Sequence, residues 1–187
     1  GLCYMHGKHV LHRDLKTANL FLSKSDDPNR PQVKIGDLGV ARVLNSSSSF
    51  AQTMVGTPYY LSPELCEDKP YDKKSDIWAL GCILYELCTL KHAFEGRNMC
   101  ALVLRIVKGK YPPIKVGRRE GYTVELKQLV DRLLSLKPKQ RPYVHEILRY
   151  NFILKHLKNM EMNGRWIAER KIVEADARAA REDEERE

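Results

Sequence analysis

The chain has 187 residues, of which 43% are hydrophobic and 30% are charged, and its formal net charge is +8. This composition is typical of a soluble globular domain, with or without a tail. No apolar run approaches the ~18 residues that a membrane span needs, so we expect no membrane partner. The positive charge favours an anionic partner, but aromatic and basic residues do not alternate as they do in single-strand binders. We therefore expect no nucleic-acid partner.

The five cysteines are scattered, and no two of them are spaced as Cys-x-x-Cys, which argues against a zinc site. We interpret them as reduced thiols of a cytosolic or nuclear protein. The first residues carry no secretion signal and begin within a structured element. We therefore interpret the chain as a fragment of a longer protein.

The first third of the chain has the patterns of strands and loops. Residues 9–12, 19–23 and 32–37 are predicted to be short strands, and a turn rich in Pro, Asn and Asp separates the last two. Residues 45–58 are polar and small without periodicity, which predicts a loop of the kind that often carries function.

A helical period follows this loop. The segment 75–90 is apolar almost all round, which indicates a helix buried on most faces, and Ser75 or Asp76 is expected at its start. Pro142 is expected in the first turn of a later helix, where a missing N–H costs little. The remaining predicted helices are 98–109, 123–136, which Thr123 can cap, and 141–153.

The two ends of the chain differ in composition. Residues 1–155 contain the predicted strands and helices, whereas residues 156–187 are highly charged with few apolar positions. We predict one α+β domain over 1–155, mainly helical with short strands at its front, followed by a charged helical tail. A coiled coil that dimerises the protein is one interpretation of the tail. No sustained apolar seam follows Val173, which favours a solvated helix.

Four polar residues near the predicted strands form a candidate catalytic group. Asp14 lies shortly before one predicted strand, Asn19 begins that strand, and Asp37 ends the next. Two strands joined by a turn can bring Asn19 and Asp37 together, and amide and carboxylate oxygens suit Mg²⁺. Asp14 is then free to accept a hydroxyl proton, and Lys16 can offset negative charge on a transferring group. The arrangement indicates phosphoryl transfer, in which positioning and charge stabilisation supply most of the catalysis.

Five stretches, in family order, resemble the large C-terminal lobe of eukaryotic protein kinases. They are HRDLKTANL (12–20), the catalytic loop; KIGDLG (34–39), the metal-binding segment; GTPYYLSPE (56–64), the end of the activation segment; KSDIWALG (74–81), the central helix; and KPKQRP (137–142), the turn with a late arginine. The resemblance covers residues 1 to about 155 and is greatest to the NIMA-related (never-in-mitosis A) serine/threonine kinases. It implies a protein-kinase-like fold whose small N-terminal lobe is absent from this chain and precedes Gly1.

The resemblance implies a catalytic or binding role for each matching residue. Asp14 would accept the proton of the substrate hydroxyl, and Lys16 would lie near the γ-phosphate of ATP. Asn19 and Asp37 would hold Mg²⁺. Thr57 would hydrogen-bond near Asp14 and Lys16 and help to shape the peptide site.

Other matching residues would support or regulate this site. Glu64 would pair with Arg141 in the interior, and Asp76 would accept backbone hydrogen bonds from the catalytic loop. Thr53 lies where similar kinases receive an activating phosphate, which could pair with Arg13 and order the loop.

Two positions depart from the usual family pattern. Leu38 stands where the family usually has Phe, and we expect this apolar side chain to pack behind the metal site. Ser62 stands where an Ala usually precedes Pro63, a change between two small residues that leaves Glu64 in place.

The resemblance implies a kinase that transfers the γ-phosphate of ATP, with Mg²⁺, to Ser or Thr of protein substrates. The expected partners are ATP, these substrates, the upstream small lobe and a second copy joined through the tail. The expected location is cytoplasmic, at the centrosome, cilium or microtubule cytoskeleton. The alternative is a non-catalytic scaffold, but such forms commonly lose Asp14, Asn19 or Asp37, and all three are present. Without its small lobe, we expect the fragment to be inactive.

Overall fold

The computed structural model describes residues 1–24, 32–38, 42–43, 58–117 and 121–161, with backbone alone at 42–43 and 158–161. The described part is mainly helical with two small sheets, which confirms the predicted α+β fold. Its strands are β1 (Val10–Leu11), β2 (Leu20–Ser23), β3 (Gln32–Ile35) and β4 (Arg42–Val43). Its helices are α1 (Leu2–Gly7), α2 (Pro63–Cys66), α3 (Lys73–Thr89), α4 (Met99–Lys108), α5 (Val124–Leu133), α6 (Val144–Ile147) and α7 (Asn151–Glu161). Single 3-10 turns occupy Thr17–Asn19, Pro58–Tyr60 and Pro138–Gln140.

The strands form two antiparallel pairs. Strand β2 pairs with β3, with Leu20 opposite Ile35, and β1 pairs with β4, with Val10 opposite Val43. The three predicted strands are confirmed, and each observed strand is shorter than the predicted one. Strand β4 was not predicted, because two residues are too few to show an alternation. The β2–β3 pairing places the end of the catalytic loop beside the segment that leads to Asp37.

Helix α3 begins two residues earlier than the 75–90 prediction, and Asp72 rather than Ser75 or Asp76 caps it. The Asp72 carboxylate accepts hydrogen bonds from the backbone N of Lys74 at 2.8 Å and of Ser75 at 3.1 Å. These bonds satisfy N–H groups that have no partner within the helix. The prediction was wrong because the side chains of Ser75 and Asp76 are directed inward, to other segments.

Two of the other predicted helices are confirmed, with caps that the sequence indicates. The Asn98 side chain accepts from Ala101 N at 2.9 Å at the start of α4, and Gly109 ends that helix with φ of 63°. A left-handed residue of this kind is most easily supplied by glycine. Thr123 caps α5, accepting from Leu126 N at 3.3 Å.

The single helix predicted at 141–153 is wrong, because the structure has two helices, α6 and α7. Arg141 and Tyr143 have extended backbones, with ψ of 133° and 160°. Helix α6 therefore starts only after Tyr143, whose backbone N donates to Glu146 Oε2 at 2.6 Å. Pro142 precedes the helix instead of occupying its first turn. The side chain of Arg141 is held in the interior, which explains why the chain stays extended there.

The core surrounds α3, as its apolar sequence predicts. Ile77 and Trp78 have no exposed surface, and the Trp78 ring stacks on Phe94 with centroids 5.3 Å apart. Gly81 lets α5 approach closely, because a Cβ there would lie 2.9 Å from Leu133 Cβ. The largest buried cluster comprises Leu61, Leu65, Trp78, Cys82, Tyr85, Ala93, Phe94, Leu102, Ile106, Ile114, Val130 and Leu134.

Three further observations concern the sequence predictions. All five cysteines are free thiols. Among the described residues, no helix is both long and apolar enough to cross a membrane. Helix α7 runs through the predicted domain boundary at residue 155, and the division into domain and tail stays a prediction, since residues 162–187 lie outside the described ranges.

Candidate catalytic site

The structure brings Asp14, Lys16 and Asn19 into direct contact. Lys16 Nζ lies 2.6 Å from Asp14 Oδ2. The side-chain amide of Asn19 donates to the backbone O of Asp14 at 2.8 Å and to its Oδ2 at 3.1 Å. One carboxylate oxygen of Asp14 is thus held by two donors. Its Oδ1 accepts no hydrogen bond from any described residue and is available to a hydroxyl group.

Asp37 follows β3, on the segment that adjoins the end of the catalytic loop. Gly36 N donates to Asn19 O at 2.9 Å, so the backbone that carries Asp37 lies beside the end of the catalytic loop. Asp37 is exposed and has φ of 58°, a left-handed conformation that Asp adopts more readily than most residues. Leu38 is 54% exposed, so the described residues do not bury it as we expected. Leu38 would become buried only if another segment packed over it.

His12 joins the catalytic loop to the segment before Asp37. Its ring is fully buried, with Nε2 3.1 Å from Gly36 O and Nδ1 3.3 Å from Asp14 N. A carbonyl can only accept and a backbone N–H can only donate, so the ring is neutral, with its proton on Nε2. This role of His12 was not predicted, although His12 begins the catalytic-loop stretch.

Asp76 receives four hydrogen bonds at the first turn of α3. His12 N and Arg13 N donate to its carboxylate at 3.0 and 3.1 Å, as expected of the catalytic loop. His6 Nε2 lies 2.8 Å from Oδ2, and the hydroxyl of Tyr71 donates to Oδ1. Burial alone would raise the pKa of Asp76, but these donors outweigh it and hold the pKa below its ordinary value. The aspartate is therefore charged although it has no exposed surface.

Arg141 and Glu64 form the buried pair that was expected. Arg141 Nη1 and Nη2 donate to the two oxygens of Glu64 at 2.7 and 2.8 Å. The remaining N–H groups reach the carbonyl oxygens of Lys74, Ser135 and Leu136, so all five donors of the guanidinium have acceptors. Arg141 thereby holds three segments together.

The charge state of Glu64 follows from this pairing. Burial raises the pKa of Glu64, but the hydrogen bonds and charge of Arg141 outweigh it, with a further bond from Ser75. The net result is a pKa below the ordinary value of 4.5. The pair is ionised at neutral pH and has little contact with water, since the two side chains are 0% and 6% exposed.

A polar group beside the catalytic loop was not predicted from the sequence. The Tyr60 hydroxyl donates to Glu86 Oε2 at 2.5 Å and lies 2.9 Å from Thr17 Oγ1, which is 3.3 Å from Glu86 Oε1. Burial, followed by the bond to Glu86, raises the pKa of Tyr60 to about 12. One signal could have revealed this group, because Glu86 is the only acid in α3 after Asp76.

The predicted regulatory and peptide-site residues are only partly described. Thr53 and Thr57 lie outside the described residues. Arg13 has φ of 70°, and its guanidinium lies 5.7 Å from the centre of the Tyr71 ring. Of the predicted site residues, the structure therefore describes Asp14, Lys16 and Asn19 in direct contact and Asp37 on the adjoining segment, with Arg13, Glu64, Asp76 and Arg141 in supporting positions.

Comparison with known proteins gives consistent matches. The protein kinase domain family matches residues 1–153. Serine/threonine-protein kinase Nek1 of Mus musculus is 51% identical over 157 residues, which cover 84% of this chain and 12% of Nek1. Serine/threonine-protein kinase Nek4 of Mus musculus is 50% identical over 156 residues, 83% of this chain and 19% of Nek4. A probable serine/threonine-protein kinase nek3 of Dictyostelium discoideum is 52% identical over 157 residues, 83% of this chain and 13% of that protein. The chain thus spans less than a quarter of the length of these relatives.

The Glu64–Arg141 pair makes a prediction about stability and pH. Glu64→Gln leaves the buried charge of Arg141 uncompensated, and at pH 7 it should lower the free energy of unfolding by about 3–5 kcal/mol. The folded-state pKa of Glu64 lies below its ordinary 4.5, so this contribution is complete above pH 4.5 and is lost as pH falls through the folded-state pKa. The difference between the wild-type and variant proteins, followed by calorimetry, should therefore shrink below pH 4.5.

The control is Glu67→Gln, which changes an exposed carboxylate three residues away. Exposed ion pairs contribute about 0–1 kcal/mol, so this variant should unfold close to the wild-type temperature. Equal effects of the two substitutions at pH 7, or a Glu64→Gln difference that grows in acid, would contradict the analysis.

Proposed function

The chain belongs to the protein kinase family, with NIMA-related serine/threonine kinases among its relatives, and we propose that the protein transfers the γ-phosphate of ATP to Ser and Thr hydroxyl groups of protein substrates. One observation above all supports this proposal. Asp14, Lys16 and Asn19 form a hydrogen-bonded group in which Asp14 Oδ1 accepts no hydrogen bond from the described residues. If Asp14 were only a turn residue, its carboxylate would not require contacts with Lys16 and Asn19.

The residues of this group suit the separate requirements of phosphoryl transfer. Asp14 would accept a hydrogen bond from the substrate hydroxyl and take its proton as the hydroxyl oxygen bonds to the γ-phosphorus and the bond from that phosphorus to the oxygen of the leaving ADP breaks. Lys16, 2.6 Å from Asp14 Oδ2, would remain close enough to offset negative charge at the reacting centre. Little covalent chemistry is required of the protein, so holding these groups in position supplies most of the effect.

The residues beside Asp14 also fit a magnesium ion. The amide nitrogen of Asn19 is directed to Asp14, which leaves its Oδ1 without a hydrogen bond from the described residues. Asp37 offers an exposed carboxylate on the adjoining segment. Amide and carboxylate oxygens are the ligands that Mg²⁺ takes when it bridges to phosphates. Bound Mg²⁺ and ATP would supply the transferable phosphate at this place.

The other expectations depend on the resemblance. The upstream small lobe, a homodimer through residues 156–187 and a location at the centrosome, cilium or microtubules stay predictions. No contact in the described residues favours the alternative of a non-catalytic scaffold.

Asp14→Asn in the full-length protein tests the proposal. The substitution keeps the shape of the side chain but removes its ability to take a proton. The rate of transfer of radiolabelled phosphate to dephosphorylated casein should fall about 10²–10⁴-fold, the usual contribution of a positioned base. The thermal unfolding temperature should change little, because Asp14 is partly exposed.

Asp68→Asn is the matched control, since Asp68 is exposed and Asn also accepts its φ of 57°. This variant should transfer phosphate at the wild-type rate. Absence of transfer by the wild-type protein, or full activity of Asp14→Asn, would refute the proposed function.

Activation by phosphate on Thr53 is a second proposal, supported by the resemblance and by the position of Arg13 beside Asp14. A phosphate carries a charge of ~−2 and can pair with an arginine. Thr53→Ala in the full-length protein should lower the rate of casein phosphorylation, and mass spectrometry should find phosphate on Thr53 of the active wild-type protein. Unchanged turnover together with an unmodified Thr53 would remove this proposal.

A further inference from the structure

The turn Pro58–Tyr60 is held from two sides by residues to which the proposed reaction gives no role. On one side His92 packs against both of its tyrosines. The His92 ring is stacked on Tyr59, with centroids 4.1 Å apart and planes 6° from parallel. The same ring meets Tyr60 edge-on, at 6.1 Å and 83°. Aromatic pairs in these two geometries attract each other beyond their burial alone.

The other side of the turn is tied to the catalytic loop. The Tyr60 hydroxyl bonds to Glu86 Oε2 at 2.5 Å and to Thr17 Oγ1 at 2.9 Å. Thr17 follows Lys16, the residue that contacts Asp14. The Tyr60 hydroxyl is protonated at physiological pH even at its ordinary pKa of 10, and the shift of that pKa to about 12 favours the donating form further. The turn is therefore fixed relative to the proposed base.

His92 connects the two sides. Its Nδ1 lies 3.5 Å from Glu86 Oε2, the same oxygen that accepts from Tyr60. His92 stands in the loop after α3 and is 31% exposed, so the stack lies at the surface rather than in the core. An aliphatic side chain could fill the same space, but it would neither stack on Tyr59 nor contact Glu86. Packing alone therefore does not explain a histidine at this position.

The position of the turn decides which ligand it can affect. A protein chain that presents a hydroxyl to Asp14 has to lie along the residues that border the catalytic loop, and Tyr60 borders that loop at Thr17. Asn19, proposed to hold Mg²⁺, shares a 3-10 turn with Thr17, but its side chain is directed to Asp14 and its backbone O accepts from Gly36. Among the described residues, the hydrogen bonds of Tyr60 go to Thr17 and Glu86 and not to Asn19 or Asp37. A displacement of the turn should therefore disturb the protein substrate and leave ATP binding unaffected.

We propose that His92 is a positioning residue for the protein substrate, which sets the affinity for a Ser- or Thr-containing chain by holding the turn 58–60 through its stack on Tyr59. This inference rests on the proposed kinase function. It identifies a determinant of substrate affinity in the loop after α3, separate from the catalytic group.

The test uses the full-length protein with dephosphorylated casein as the substrate. His92→Ala removes the stack and should raise KM for casein about three- to tenfold, the range expected from the loss of an aromatic pair. KM for ATP and kcat should stay within about twofold of wild type, because no hydrogen bond among the described residues joins the turn to Asn19 or Asp37. His92→Phe keeps the stack and should return KM for casein to within about twofold of wild type.

Two further variants separate positioning from folding. Tyr60→Phe keeps the ring but loses the bonds to Thr17 and Glu86, and it should also raise KM for casein, which keeps the test valid if His92→Ala does not fold. His156→Ala makes the same change at an exposed histidine of α7 and should leave all constants unchanged.

The outcomes distinguish this inference from the function on which it rests. Wild-type activity together with an unchanged KM for casein in His92→Ala would overturn the role of His92 alone. So would a fall in kcat and a rise in KM for ATP of the same size, since a general loss of structure would produce both. No transfer by the wild-type protein would overturn the proposed function and this inference together.

Discussion

One buried carboxylate, that of Asp76, connects the catalytic loop to the rest of the molecule. It has no exposed surface, yet it is ionised, because backbone N–H groups of the loop and two side chains donate to it. A buried charge is costly unless it is paired and hydrogen-bonded. The ionised carboxylate and the loop conformation therefore stabilise each other. Arg13, with its φ of 70°, adopts an unfavourable backbone conformation that these bonds help to maintain.

The first turn of α3 extends the same arrangement to other segments. Successive residues of a helix point about 100° apart, so consecutive side chains reach different neighbours. Lys74 Nζ donates to Arg141 O at 2.7 Å, Ser75 Oγ donates to Glu64 Oε1 at 2.7 Å, and Asp76 binds the catalytic loop. Near the other end of the helix, Glu86 holds Tyr60 and Thr17. The central helix thus supplies the apolar core and the polar contacts that position the site.

The sequence predicted those features in which a local pattern and the final structure agree. Strands β2 and β3 and helices α4 and α5 follow from apolar periodicity and their caps. The grouping of Asp14, Lys16 and Asn19 follows from their closeness in the chain. Asp72 escaped prediction because two equally suitable caps, Ser75 and Asp76, follow it, and only tertiary contacts decide among the three.

Other features depended on contacts between distant residues. The late start of α6, after Tyr143, follows from the burial of Arg141, whose partner Glu64 lies 77 positions earlier. The contact of Tyr60 with Glu86 and Thr17 joins residues 26 and 43 positions apart. Leu38 remained exposed although its apolar character favoured packing, because burial needs a neighbouring surface that the described residues do not provide.

Hydrogen exchange at the backbone amides of His12 and Arg13 tests the central role of Asp76 most directly. In the full-length protein with Asp76→Asn, one carboxylate oxygen becomes an NH₂ group that cannot accept, so at least one of the two amides loses its partner. Exchange followed by mass spectrometry should become about tenfold faster or more in the peptide that contains these residues, whereas peptides from α4 should exchange as in the wild type. Unchanged protection of the catalytic loop in a folded Asp76→Asn protein would contradict the claim that this carboxylate holds the loop in place.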